Sequence, residues 1–211
     1  MIDTILFGGT FDPVHNGHIG IASSILYDLG LDLQIVFVPN KKPPHKSSPV
    51  ASSDDRLSML SLATADHSNM LVDDLELRNP GVSYSIETLR AYRKTYGENF
   101  SLTFLLGADA WQDFSSWREH RRFSDYANLI VYGRSGDSIF DSRNCDSFGF
   151  QYKEDICQIS ECFRGSLFYS SVRNFPISSS QVRLVAEREE KIDCLVNREV
   201  AEYIRRRDLY R

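Results

Sequence analysis

Thr4-Ile5-Leu6-Phe7-Gly8-Gly9-Thr10-Phe11-Asp12-Pro13-Val14-His15-Asn16-Gly17-His18 runs from an apolar stretch through a glycine turn into a segment with helical spacing. Two glycines after a strand let backbone N–H groups approach an anion closely. A helix opening near Gly17 would aim its unpaired N–H groups and the positive end of its dipole at the same place. His15 and His18 are three residues apart and share a face if that helix begins early enough. Taken alone, a Gly-Gly turn often merely reverses the chain. The paired imidazoles change the reading: no third residue at zinc-like spacing stands nearby, and they suit a phosphoryl oxygen better than a metal.

Outward from this stretch, apolar runs alternate with amphipathic ones. The pattern predicts a helix over 18–29 with Gly30 at its C-cap, then a strand over 33–38 that is apolar on both faces. Prolines make 39–53 a loop, after which Ser52 and Asp55 resemble a capping box opening a helix through Ala65. A short strand is expected over 70–75, and a helix capped by Ser83 and ended by Gly97. Strands over 100–106, 128–132 and 166–172 follow, with an aromatic helix containing Trp111, Phe114 and Trp117 after the first of them. Ser178-Ser179-Ser180 opens a helix to about Glu190, and 198–209 forms a terminal amphipathic helix. The expectation is an α/β, Rossmann-like doubly wound parallel sheet with helices on both faces and C-terminal helices, in a single domain over 1–211. Ser, Asp, Gly and Cys break every period across 135–165, which is expected to be an irregular insertion.

The 211 residues are 42% hydrophobic and 25% charged, the balance of an ordinary globular protein. No apolar run approaches the roughly 20 residues that cross a bilayer, and Met-Ile-Asp-Thr lacks the basic start of a signal peptide, so a cytoplasmic location without membrane partners is expected. Cys145, Cys157, Cys162 and Cys194 form no Cys-x-x-Cys pair and read as reduced thiols rather than a metal site. A net charge of -5 disfavours extended nucleic-acid binding, so any phosphate must be held by local cations such as Lys41, Lys42, Lys46, Arg134 and Arg183. Beyond about 8 Å the remaining charge is largely screened. Nothing in the sequence fixes the oligomeric state.

Gly8 to His18 resembles the signature of the nucleotidyltransferase superfamily, whose core His-x-Gly-His is here His15-Asn16-Gly17-His18. The full form is most similar to the bacterial nicotinate-mononucleotide adenylyltransferase family. Pro43-Pro44-His45-Lys46 looks like that family's segment over the bound phosphates. Ile177-Ser178-Ser179-Ser180-Gln181-Val182-Arg183 resembles its second signature, with Ser180 for Thr and Val182 for Ile. Ser83-Tyr84-Ser85 is similar to its Ser-Tyr-Thr segment at a helix start, and Asp109, Trp117 and Arg134 fall at similar positions.

The resemblance implies attack of the nicotinate mononucleotide phosphate on the α-phosphate of ATP, with pyrophosphate leaving, Mg2+ accompanying ATP and no tightly bound cofactor. His15, His18, Lys46 and Arg183 would then act catalytically. Gly8, Gly9, Thr10, Phe11, Gly17, Asp109, Arg134, Ser179 and Ser180 would bind ATP and its phosphates. Asn40, Ser85 and Trp117 would bind nicotinate mononucleotide. A phosphate nucleophile is already ionised at neutral pH, which agrees with the absence of a Ser/His/Asp or Cys/His signature. The alternatives are transfer to nicotinamide mononucleotide or another phosphorylated acceptor such as phosphopantetheine, and a nucleotide-binding protein without transfer activity.

Overall fold

The chain runs β1 (Thr4–Gly9), α1 (Asn16–Leu29), β2 (Ile35–Pro39), α2 (Ser53–Thr64), β3 (Met70–Val72), α3 (Leu75–Arg78), α4 (Ser85–Tyr96) and β4 (Leu102–Gly107). It continues through α5 (Ala108–Gln112), β5 (Asn128–Gly133), α6 (Arg143–Ser147), β6 (Gln151–Lys153), β7 (Ser166–Ser171), α7 (Ser179–Glu187) and α8 (Arg198–Arg207). These elements come from a computed structural model that describes residues 4–29, 33–42, 48–133, 143–171 and 175–211. Gly30, Lys46 and Arg134, singled out in the sequence, lie outside the described residues.

The seven strands form one sheet in the order β3-β2-β1-β4-β5-β7-β6, and every neighbouring pair is parallel. The fold is the Rossmann-like doubly wound sheet expected from the sequence. Its strand order reverses at β1: the chain winds out to β3 and returns to place β4 on the other side of β1. A crevice therefore opens beyond the carboxyl ends of β1 and β4. Successive side chains of each strand point to opposite faces. Ile5, Phe7, Ile35 and Phe37 join a core with α1, α2, α7 and α8, while Leu6, Val36, Phe104 and Leu106 join another with α4 and α5. Burial on both faces explains why these strands read as unbroken apolar runs.

Four local expectations are corrected. β3 ends at Val72 because Asp73 turns the chain, its Oδ1 accepting from the Leu75 N–H at 2.9 Å, and α3 follows. Ser83 does not cap α4; its Oγ accepts from the Lys41 N–H at 2.9 Å, and Tyr84 occupies the N-cap position with no side-chain cap bond. The aromatic segment is not one helix but short α5 followed by 3-10 turns at Phe114–Ser116 and His120–Asp125, with Glu119 in the left-handed region at φ 53° between them. Phe114 and Phe123 meet edge-on at 5.1 Å although nine residues apart, a contact that requires the chain to fold back rather than continue as one helix. Finally, residues 143–165 carry regular structure, with α6, β6 and a 3-10 turn at Ile156–Glu161. β6 is only three residues long, below the length at which alternation gives a readable signal. Elsewhere Ser52 caps α2 as expected, accepting from Asp55 N–H at 3.1 Å, and Gly97 ends α4 at φ 86°. Among the described residues no helix is long and apolar enough to cross a membrane.

Candidate active site

The turn from β1 into α1 is fastened from every side. Gly17 is the second residue of α1, where a Cβ would lie 2.9 Å from His15 Nδ1, so only glycine lets the His15 ring fold back over the helix start. His15 and His18 stack with ring centroids 3.8 Å apart. The His15 backbone N–H donates to His18 Nδ1 at 3.2 Å. An imidazole that accepts at Nδ1 carries its proton on Nε2, so His18 is oriented as an Nε2–H donor.

Asp12 is the anchor of this loop. Its buried carboxylate accepts from Val50 N–H at 2.7 Å, Ala51 N–H at 3.0 Å and the Tyr210 hydroxyl at 2.8 Å. Arg56, only 1% exposed, donates from Nη1 to the Thr10 carbonyl at 2.7 Å and the Asn40 carbonyl at 2.8 Å. Burial holds its guanidinium below the usual arginine range, with Asp12 and Tyr210 pulling the other way. Asn40 Nδ2 in turn donates to Thr10 Oγ1 at 3.2 Å.

The second signature closes over the first. Ser178 caps α7, its Oγ accepting from Gln181 N–H, and the Ser179 hydroxyl donates to the Pro13 carbonyl at 2.9 Å. Arg183, one turn into α7, donates from Nη1 to the Asp12 carbonyl at 2.7 Å and from Nη2 to Ser180 Oγ at 3.2 Å. The amphipathic spacing that buries Val182 fixes which way Arg183 points.

Across the crevice stands a different wall. Ser85 is the first residue of α4, whose opening N–H groups lack a side-chain cap. Trp117 is half-buried and edges against Phe104, Phe114 and Phe123. The Arg118 guanidinium lies 4.8 Å over the Tyr84 ring. Beneath this wall Glu76 is buried, accepting from the Thr88 hydroxyl at 2.5 Å; burial raises its pKa, and the Thr88 and Ser83 hydroxyls offset that only in part. Glu119 binds Arg90, with Arg118 and Arg122 close by, and is held below the usual carboxylate range chiefly by the Arg90 hydrogen bond.

These walls bound one cleft of about 1100 Å³. Gly8, Gly9, Thr10, Phe11, His15, Gly17 and His18 line it from the β1 turn, Ser179, Ser180 and Arg183 from α7, and Asn40 from the end of β2. Ser85, Asp109 and Trp117 line it from the other side. Every described residue to which the resemblance gave a role thus opens on the same space, whereas Lys41 and Lys42, read as local cations, do not line it. Sequence reading missed Arg56, Glu76, Arg118 and the anchoring role of Asp12. A buried arginine in the first turn of a helix looks like any solvated one, whereas Asp12 sat inside the signature and could have been asked for its partners.

Residues 6–185 match the cytidylyltransferase-like family, and the chain belongs to it. The "Probable nicotinate-nucleotide adenylyltransferase" of Coxiella burnetii is 33% identical over 208 residues, covering 97% of this chain and 96% of its own. The protein of the same name from Clostridium tetani is 33% identical over 207 residues, with 98% of each chain covered. The nicotinic acid mononucleotide adenylyltransferase of Plasmodium falciparum, complexed with NaAD, shares the fold with a TM-score of 0.76 at 20% identity, over 100% of this chain and 98% of its own.

Proposed function

We propose that this chain transfers AMP from ATP to nicotinate mononucleotide, giving nicotinate adenine dinucleotide and pyrophosphate. The observation that carries the reading is the single cleft in which two phosphate-type signatures meet an uncapped helix start beside an indole. Its volume of about 1100 Å³ stands at the upper end of ligand sites, which span roughly 300–1,000 Å³. The 33% identity to nicotinate-nucleotide adenylyltransferases across nearly the whole chain supports the same acceptor.

In this reading ATP lies against the β1 turn. A phosphate oxygen of the acceptor attacks the α-phosphorus, the bond to the bridging oxygen breaks, and pyrophosphate leaves with that electron pair. The backbone N–H groups of residues 8–11 hold phosphate oxygens, and the His18 Nε2–H and the Arg183 fork meet the charge that develops in the transition state. His15 keeps His18 in place through the backbone bond. No side chain forms a covalent intermediate; alignment and charge stabilisation supply the rate. On the facing wall, the first N–H groups of α4 at Ser85 receive the nicotinate carboxylate, and Trp117 stacks on the pyridine ring. Lys46 and Arg134 would add charge from outside the described residues.

The donor set also fits Mg2+ brought in by ATP. Among the described residues no group of three or more His, Cys, Asp or Glu is arranged to hold a metal by itself. An ion that arrives on a triphosphate needs only one or two carboxylates with water. Asp109 meets that demand: it is exposed in the cleft, and its Oδ1 folds to where a Cβ on Gly107 would lie 2.5 Å away. Bound there, the ion would neutralise phosphate charge.

The test is initial-rate turnover with ATP and, side by side, nicotinate or nicotinamide mononucleotide. The nicotinate form is expected to give the higher kcat/KM. Preference for the nicotinamide form overturns the acceptor, and no pyrophosphate release with either overturns the activity.

A further inference from the structure

Tyr210 stands outside the cleft, far along the chain from the signatures, yet its hydroxyl reaches the centre of the nucleotide loop. It donates to Asp12 Oδ1 at 2.8 Å with both residues buried, Tyr210 8% and Asp12 4% exposed. The chain bends back to make this contact. Asp208 ends α8 in the left-handed region at φ 55°, and Tyr210 itself lies there at φ 67°. Burial, and then the neighbouring Asp12 charge, push the phenol well above its usual pKa, so it remains a donor at any ordinary pH.

The Asp12 carboxylate also pairs with a cation. Its Oδ2 is 3.9 Å from Arg183 Nη1, while that same Nη1 donates to the Asp12 carbonyl at 2.7 Å. Three donors fix the carboxylate beside this ion pair: the Val50 and Ala51 N–H groups and the Tyr210 hydroxyl. Two of these are backbone and fixed. The third belongs to a side chain whose ring is packed under the loop.

We propose that Tyr210 is a positioning residue for adenylyl transfer: by fixing the Asp12 side chain, its hydroxyl holds in place the residue whose carbonyl and carboxylate orient Arg183, and so keeps the guanidinium aimed into the cleft. This rests on the reading of Arg183 as a group that stabilises phosphate charge. Without the hydroxyl, Oδ1 keeps only the Ala51 N–H, Asp12 is held less firmly, and the guanidinium that leans on its carbonyl and carboxylate loses its aim at the phosphates. A misplacement of about 1 Å at such a group costs up to about 100-fold in rate.

The experiment is a double-mutant cycle of Tyr210→Phe with Arg183→Ala, with Tyr203→Phe as control. The Tyr203 hydroxyl donates to Asp55 Oδ1 at 2.9 Å, in the same C-terminal segment but away from the loop. Tyr210→Phe is expected to lower kcat by about 10- to 100-fold while the KM for nicotinate mononucleotide stays within about twofold. Tyr203→Phe should leave kcat unchanged. In the Arg183→Ala background, Tyr210→Phe should have no further effect on kcat, because both act through one group. If Arg183→Ala retains full turnover, the reading of the site fails. If Arg183→Ala loses turnover but Tyr210→Phe does not, or if the two losses add, the positioning role is overturned. A Tyr210→Phe protein that does not fold also overturns it, since the hydroxyl would then serve stability rather than aim.

Discussion

The two walls of the cleft are fastened in opposite ways. On the β1 side, buried and half-buried groups bind backbone: Arg56 holds the Thr10 and Asn40 carbonyls, Asp12 takes two N–H groups, and Arg183 and Ser179 hold the Asp12 and Pro13 carbonyls. On the α4 side, much of the fastening is side chain to side chain and open to solvent, as in the ion pairs of Glu119 with its arginines. The difference suits the roles proposed for each wall. Charge developing on a phosphorus must meet donors that are already in place. A ring and its carboxylate need a surface and a few N–H groups, which the start of a helix provides.

The largest break in this comparison is expected from His18→Ala. Removing one fixed donor should lower turnover by about 100- to 1,000-fold with the protein still folded, measured as pyrophosphate release alongside circular dichroism. Near-normal turnover would sink the role given to the β1 wall. Arg56→Met should come next, in stability rather than rate. Two buried carbonyls lose their donor, a cost of about 2 kcal/mol or more that urea unfolding would register. An unchanged midpoint would mean that Arg56 contributes nothing net.

Acid separates the walls by sign. Burial pushes the Asp55 carboxyl up, but hydrogen bonds from Ser52, Tyr203 and Arg207 outweigh it and hold it below its ordinary value of 3.8. Its folded form therefore binds protons less readily than its unfolded form. The stability it adds is present above that value and is lost as pH falls through the lower folded one. Glu76 is raised above its ordinary 4.5, so its unfolded form ionises first, and stability is lost as pH rises from that value through the folded one. Melting curves across pH should show Asp55→Asn converging on the parent in acid. Glu76→Gln should gain on the parent as pH rises; parallel curves for either variant would contradict the assignment. Glu119→Gln should have the smallest effect. Its pairs lie at the surface, half-buried with Arg90 and exposed with Arg118 and Arg122, so the loss should stay within about 2 °C in Tm and shrink near 1 M salt, where the screening length is about 3 Å.

Much of this organisation was legible before any coordinates. Strands apolar on both faces gave the parallel sheet, and the glycine turn with paired histidines pointed to the cleft at the carboxyl end of the first strand. What escaped reading depended on partners distant in sequence. Ser83 looked like a cap because local pattern cannot show that Lys41 N–H claims its hydroxyl. β6 escaped because three residues carry no period, and its place outside β7 is set by tertiary pairing alone. Arg56 resembled any helical arginine until the carbonyls of Thr10 and Asn40 came within its reach.

Asp12 and its phenol donor lie 198 residues apart. At about 5–20 residues per second, a ribosome adds the second about 10–40 s after the first. Throughout that interval the nucleotide loop exists as peptide but lacks one of its three carboxylate partners. Its final geometry arrives late in synthesis, so a truncated product that stops short of the tyrosine carries the complete signature without the contact that sets it.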